Sequence, residues 1–199
     1  MGFVQKESQK EGVLIMANGK TKTIITAALL AALTTVATNI KKPPRPKQAS
    51  ILVGDGLGLL GGFRLGRGVV AIAAGVGSML ADLFGGYMAW VPGTFAIKAL
   101  TALAGGWLYH HMAGRDKLHV PVRVALSGIP AEVIMVAGYY GYELGMQTLA
   151  GSSVQAAGMA VLAGVPFNVV QGLAGVIVCA VLLPVLARAS GEMGARIRA

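Results

Sequence analysis

Six apolar stretches follow one another along this chain, and basic segments separate several of them. They cover about residues 23–38, 50–63, 68–87, 94–112, 121–144 and 165–188. A helix that crosses a membrane needs about 20 mainly apolar residues, and most of the stretches come near that length. The stretch 50–63 is shorter and rich in glycine, which suits close packing between helices. The pattern predicts an all-α membrane protein, a bundle of six transmembrane helices.

The composition excludes the main alternatives to a membrane protein. Hydrophobic residues make up 55% of the chain and charged residues 13%, whereas a soluble domain carries about 25% charged residues. The net charge of +9 comes from clusters between the apolar stretches, so nucleic acid is not a predicted partner. The single cysteine, Cys179, excludes an intramolecular disulfide and a cysteine-based zinc site.

The distribution of basic residues predicts that both termini are cytoplasmic. In this orientation twelve Lys and Arg side chains fall inside and four fall outside, in the loop Lys41–Lys47, as the positive-inside rule favours. Residues 1–22 are predicted to form a polar N-terminal tail, with either Met1 or Met16 as the start. Residues 23–199 are predicted to form one membrane domain. The segment 145–164 is weakly apolar. Two interpretations of it stay open, a short interfacial helix and a seventh transmembrane span.

Charged groups at membrane depth are costly, and they usually serve a function or pair with one another. The apolar stretches contain Asp55, Asp82, Lys98, Glu132 and Glu143. With cytoplasmic termini, polar side chains from several stretches lie towards the outer side, as a ligand pocket in a bundle requires. The candidate ligand-binding residues are Thr94, Lys98, Glu132, Tyr139, Glu143, Asn168 and Gln171.

Several of these groups have a structural interpretation that stays open. Asp82 and Lys98 could pair with each other, and Glu143 could be a charge at a helix end.

Small residues recur four apart in the first stretch, which favours close contact with another helix, inside the bundle or in a partner. They are Ala27, Ala28, Ala31 and Ala32.

The sequence does not predict an enzyme. A phosphate-binding loop of the G-x-x-x-x-G-K-[ST] type does not occur in it, so ATP hydrolysis of that kind needs another chain. We find no nucleophile–base constellation and expect no cofactor. Three histidines lie near one another at residues 110, 111 and 119 and are interpreted as interfacial and loop residues rather than as metal ligands.

A series of short motifs runs through most of the chain in a definite order. They are Gly54-Asp55, the segments 75–83, 86–87, 92–98 and 129–132, Gly138-Tyr139, Glu143 and the segment 166–172. Over about residues 23–187 this order resembles the substrate-binding S components of energy-coupling factor (ECF) transporters. The resemblance is greatest to the branch that includes hydroxymethylpyrimidine and pyridoxine-type carriers.

The resemblance implies a multi-pass subunit of a prokaryotic plasma membrane that binds a vitamin or precursor from outside. Its partners would be a transmembrane coupling subunit, which the alanine stripe would meet, and two ATPase subunits. The segment 39–50 would cover the ligand. Its basic loop departs from the family pattern and would suit either an anion such as pantothenate or lipid headgroups. The alternative function is an accessory structural membrane subunit that has no ligand.

Overall fold

The computed structural model describes residues 21, 23–38, 67–112 and 119–189, and every regular element in these ranges is helical. The helices, numbered within the described part, are α1 (Thr23–Thr38), α2 (Arg67–Phe84), α3 (Val91–His111), α4 (Val120–Leu149), α5 (Val154–Leu162) and α6 (Val165–Ala189). A single 3-10 turn, Met88–Trp90, joins α2 to α3. The prediction of an all-α protein is confirmed for these residues.

Local sequence explains where the helices begin and end. Proline stands in the first turn of both α3 and α4, where its missing N–H costs no hydrogen bond. After α4 the chain turns at Gly151, whose φ of +98° suits a residue without a side chain. Ser153 then caps α5, because its hydroxyl accepts a hydrogen bond from the backbone N–H of Ala156 at 3.3 Å.

Small residues let neighbouring helices approach until their backbones nearly touch. A Cβ atom placed on Gly77 of α2 would lie 2.7 Å from the backbone oxygen of Ala31 in α1. On the opposite side of α2, a Cβ atom on Gly75 would lie 2.9 Å from the backbone oxygen of Phe95 in α3. Glycine at these crossings therefore sets the spacing of α1, α2 and α3, as is typical of helices that pack in a membrane.

α3 packs against α4, and α4 packs against α6, around a hydrophobic core. Its buried residues are Tyr109, Val124, Ala131, Val176, Cys179 and Leu183. At its edge the guanidinium of Arg123 donates to the Tyr109 hydroxyl at 2.8 Å and lies 4.3 Å from the centre of that ring. Many large apolar side chains on the outside of the helices are exposed, including Ile72, Val133 and Ile177. Such a surface suits contact with lipid rather than with water.

The helix boundaries refine the predicted spans. Four of the six predicted stretches coincide closely with α1, α2, α3 and α6, and α4 extends beyond its predicted end at 144 to Leu149. In the segment 145–164, for which a short interfacial helix and a seventh span were both open, the structure has the last turn of α4 and then the separate nine-residue helix α5. The interfacial position of α5 stays a prediction. The stretch 50–63 and, apart from Thr21, the N-terminal tail lie outside the described residues. Within the described part, α4 and the Val165–Val185 portion of α6 are long and apolar enough to cross a membrane. Six spans and cytoplasmic termini stay predictions.

Candidate functional site

Four helices bring polar side chains together at one end of the bundle, which we call the polar end. It is formed by the C-terminal parts of α2 and α4 and the N-terminal parts of α3 and α6. There the Tyr139 hydroxyl donates to Thr94 Oγ1 at 3.3 Å, and the Thr94 hydroxyl donates to Asp82 Oδ2 at 2.5 Å. This chain of hydrogen bonds joins α4, α3 and α2.

A second polar group surrounds the sulfur of Met135, a residue of α4 that is fully buried. Lys98 of α3 places its Nζ atom 2.9 Å from this sulfur, and Gln171 of α6 places its Nε2 atom 3.9 Å from it. Lys98 is 6% exposed and Gln171 is 1% exposed. The ammonium group of Lys98 also lies 5.4 Å from the centre of the Tyr139 ring, so the two polar groups adjoin.

Glu132 lies one helical turn deeper in α4 than Met135 and packs against α6. It is buried, and a Cβ atom on Gly172 would lie 2.9 Å from its Cβ and 3.0 Å from its Oε2. Any side chain larger than glycine at residue 172 would therefore displace Glu132. Glycine at this crossing keeps a carboxylate inside the bundle, where ionisable groups are costly and usually functional.

Aromatic residues form the rim of the polar end. The indole N–H of Trp90 donates to Glu143 Oε1 at 3.3 Å, and the Tyr142 hydroxyl donates to the backbone oxygen of Ala89 at 2.6 Å. Tyr87 meets Trp90 edge to face. These contacts tie the outer turn of α4 to the 3-10 turn before α3, so Glu143 is part of the rim rather than of the buried cluster.

The structure thus gathers most of the sequence-predicted site residues. Thr94, Lys98, Tyr139 and Gln171 adjoin in the buried cluster, with Glu132 below it and Glu143 above it. Asn168 lies one turn above Gln171 on α6 and is half-buried. Asp55 lies outside the described residues. Ligand binding by these residues stays a prediction.

Sequence reasoning missed Met135 as a member of the site. A methionine in an apolar helix is normally a core residue, so the residue type alone does not indicate a binding site. The spacing does indicate one, because residues 132, 135 and 139 recur every three or four positions and share a face of α4. The sequence suggests Asp82 as a partner for Lys98 or as a neighbour of the pocket. In the structure the Asp82 carboxylate accepts the hydrogen bond of the Thr94 hydroxyl.

The alanine stripe of α1 divides into an inner and an outer pair. Ala27 and Ala31 are buried and cluster with Ala73 of α2. Ala28 and Ala32 are exposed among the described residues. The inner pair therefore packs within the bundle, and the outer pair is the part of the stripe that a partner subunit can reach.

A bundle with lipid-facing helices and a buried polar cluster at one end is typical of a membrane transport subunit. The family model of the ECF-type riboflavin transporter S component matches residues 18–188, and the chain belongs to this family. It is therefore a membrane-located, substrate-binding subunit of an ECF vitamin transporter and not an enzyme. Its partners are the ECF membrane and ATPase subunits and a small-molecule vitamin. No curated protein and no solved structure matches the chain significantly.

Proposed function

We propose that this subunit binds a small hydroxylated heterocycle of the pyridoxine or hydroxymethylpyrimidine type at its polar end. The observation that carries the proposal is the convergence of four helices on a compact group of hydrogen-bonding side chains around Met135. The proposed contacts are Thr94, Lys98, Glu132, Tyr139, Glu143, Asn168 and Gln171.

The chemistry of these groups complements such a ligand. Lys98 offers only donors, Asp82 in its ionised form offers only acceptors, and the Gln171 amide and the two hydroxyls offer both. A ring nitrogen and several hydroxyl groups on one small molecule can satisfy this mixture. Burial strengthens each hydrogen bond and makes an unmatched polar group costly, so a ligand that lacks the right groups is rejected.

Riboflavin is the second candidate because the matching family is described as a riboflavin transporter component. It too combines a heterocycle with hydroxyl groups, so the polar side chains alone do not separate the two candidates. We place the smaller molecule first because the order of the motifs resembles the pyridoxine and hydroxymethylpyrimidine branch. Pantothenate ranks next, and its support is the basic loop at residues 41–47, which lies outside the described residues.

The proposal includes the orientation and the assembly of the complex. Both termini face the cytoplasm of a prokaryotic cell, the polar end faces outwards, and residues 23–199 act as one membrane domain. The coupling subunit contacts α1 at the exposed Ala28 and Ala32, and two ATPase subunits complete the transporter. The segment 39–50, proposed as the cover of the bound ligand, lies outside the described residues.

The test is calorimetric titration of the purified chain in detergent with pyridoxine, hydroxymethylpyrimidine, riboflavin, pantothenate and thiamin. Submicromolar binding of pyridoxine or hydroxymethylpyrimidine, with one ligand per chain, supports the proposal. Binding of riboflavin alone overturns the choice of ligand. A folded chain that binds nothing in the panel favours an accessory structural subunit.

Two variants locate the site. Lys98→Met removes the ammonium group from the cluster while keeping an apolar stem, and it should abolish tight binding. Thr101→Val is the matched control, because Thr101 is buried one turn further along α3 and bonds the backbone oxygen of Ile97 in its own helix. Equal loss of binding in both variants would point to a general disturbance of α3.

A further inference from the structure

A long apolar groove lies between α4 and α6, beside the polar cluster. Its volume is about 470 Å³. The lining comes from α4, from the last residue of α5 and from α6. Its members are Ile129, Glu132, Val133, Val136, Ala137, Tyr140, Leu162, Val165, Val169, Gly172, Leu173 and Val176.

The wall of this groove is hydrocarbon almost throughout. Its two titratable members are Glu132 and Tyr140, and both carboxylate oxygens of Glu132 are buried away from the surface. The other lining residues carry only hydrocarbon side chains or, at Gly172, none. A polar ligand would find few partners here, which separates this groove from the polar cluster.

The groove runs along the helices rather than into the centre of the bundle. Tyr140, Leu162 and Val165 line it at the polar end, and Ile129 and Val176 line its other end, near the middle of the bundle. Eleven residue steps along either helix correspond to a length of about 17 Å. Rim residues such as Val133, Val169 and Leu173 are 62%, 42% and 49% exposed on the outside of the helices, so the groove opens sideways.

The cross-section limits what can occupy the groove. The groove is narrow relative to its length of about 17 Å, so a helix about 10 Å across would lie over its mouth rather than fill it. A single extended hydrocarbon chain fits this width.

We propose that the groove holds one acyl chain of a membrane lipid whose headgroup lies at the polar end. The chain belongs to a membrane protein family, so the open side of the groove faces hydrocarbon. An acyl chain from the leaflet at the polar end already runs parallel to the helices and reaches the middle of the bilayer. Packing against both walls fills a space that would otherwise lose dispersion contacts. The Tyr140 ring at the groove's outer end suits the boundary between acyl chain and headgroup.

The experiment is native mass spectrometry of the delipidated chain titrated with dioleoyl phosphatidylglycerol and, separately, with dioleoyl phosphatidylcholine. Leu173→Trp narrows the groove from α6, and Val133→Trp narrows it from α4. Both positions are exposed at the rim, so the two variants act independently and neither should disturb the core. Val181→Trp is the control, because Val181 has similar exposure on α6 but lies beyond the groove.

We expect the wild-type chain and the control to retain one lipid tightly. Each groove variant should bind that lipid about tenfold more weakly, as losing contacts worth two buried methylenes would produce. Binding of both lipids would identify the acyl chain as the recognised part, while binding of phosphatidylglycerol alone would assign recognition to the headgroup and overturn the proposal. Unchanged lipid retention in both groove variants would also overturn it.

A parallel titration with the vitamin panel keeps this inference separate from the proposed ligand. If the groove variants lose vitamin binding and keep the lipid, the groove is part of the ligand site and the lipid proposal is wrong. If they lose the lipid and keep vitamin binding, the lipid proposal stands. The lipid result is interpretable even when no vitamin in the panel binds.

Discussion

Replacing Gly77 by alanine should force α1 away from α2. The added Cβ would lie 2.7 Å from the backbone oxygen of Ala31, 3.0 Å from its Cα and 3.0 Å from the Cβ of Thr34. Two of these atoms belong to the backbone, so no change of rotamer relieves the contact. The helix must move, and the hydrogen bond from the Thr35 hydroxyl to the Gly77 oxygen, 2.9 Å long, must stretch with it.

The expected cost combines these two effects. Overpacking a close contact costs about 1–3 kcal/mol, and weakening a buried hydrogen bond costs about 0.5–1.5 kcal/mol. We therefore expect Gly77→Ala to lower the free energy of unfolding by about 2–4 kcal/mol. Because the contact is with the backbone of Ala31, the second change Ala31→Gly should not restore stability.

The measurement is unfolding in mixed micelles with increasing dodecyl sulfate, followed by circular dichroism. Gly141→Ala is the matched control, since nothing lies within 4 Å of a Cβ at Gly141 in α4. That control should be neutral or more stable by up to about 1 kcal/mol, the helix-propensity difference between alanine and glycine. A Gly77→Ala chain as stable as the wild type would refute the inference that this glycine sets the distance between α1 and α2.

Three further predictions concern the polar end and the opposite end of the bundle. Thr94→Val removes the hydroxyl that joins Asp82 to Tyr139. Calorimetry should show vitamin binding about tenfold weaker, which is the effect of losing a hydrogen bond to a charged group. Unchanged affinity would remove Thr94 from the site. Asn168→Leu should abolish vitamin binding. Because Asn168 is only half-buried, the free energy of unfolding should change by less than about 0.5 kcal/mol. Retained affinity would exclude a ligand contact at this residue. Tyr109→Phe removes the hydroxyl that accepts a hydrogen bond from Arg123. This change should lower the free energy of unfolding by about 1 kcal/mol and leave vitamin affinity unchanged. Reduced affinity in a stable variant would contradict the assignment of the site to the polar end.

Helical class and most helix positions follow from the sequence because apolar periodicity and length are local properties. The stretches 23–38 and 165–188 predict α1 and α6 to within a residue or two. The end of α4 is harder to predict, since Gly145, Met146 and Gln147 carry no strong stop signal. The first positive φ after α4 occurs only at Gly151, and the helix continues almost to that turn.

The partners of each side chain depend on which helix faces which, and a single sequence does not contain that information. The pairing of Asp82 with Thr94 and the meeting of Lys98 and Gln171 at Met135 result from the way α2, α3, α4 and α6 pack. The split of the alanine stripe has the same origin. All four alanines have equivalent spacing, and only the position of α2 decides that Ala27 and Ala31 are buried.

The sulfur of Met135 gives the polar cluster a weak hydrogen-bond acceptor at its centre. A thioether holds an ammonium or an amide far less firmly than an oxygen atom does. A ligand oxygen that replaces it for Lys98 or Gln171 therefore gains a strong contact and gives up a poor one. Oxidation of Met135 to the sulfoxide would reverse this balance, because the new S=O group is polar and would occupy the same donors. Because Met135 is fully buried, the folded bundle protects this thioether from such oxidation.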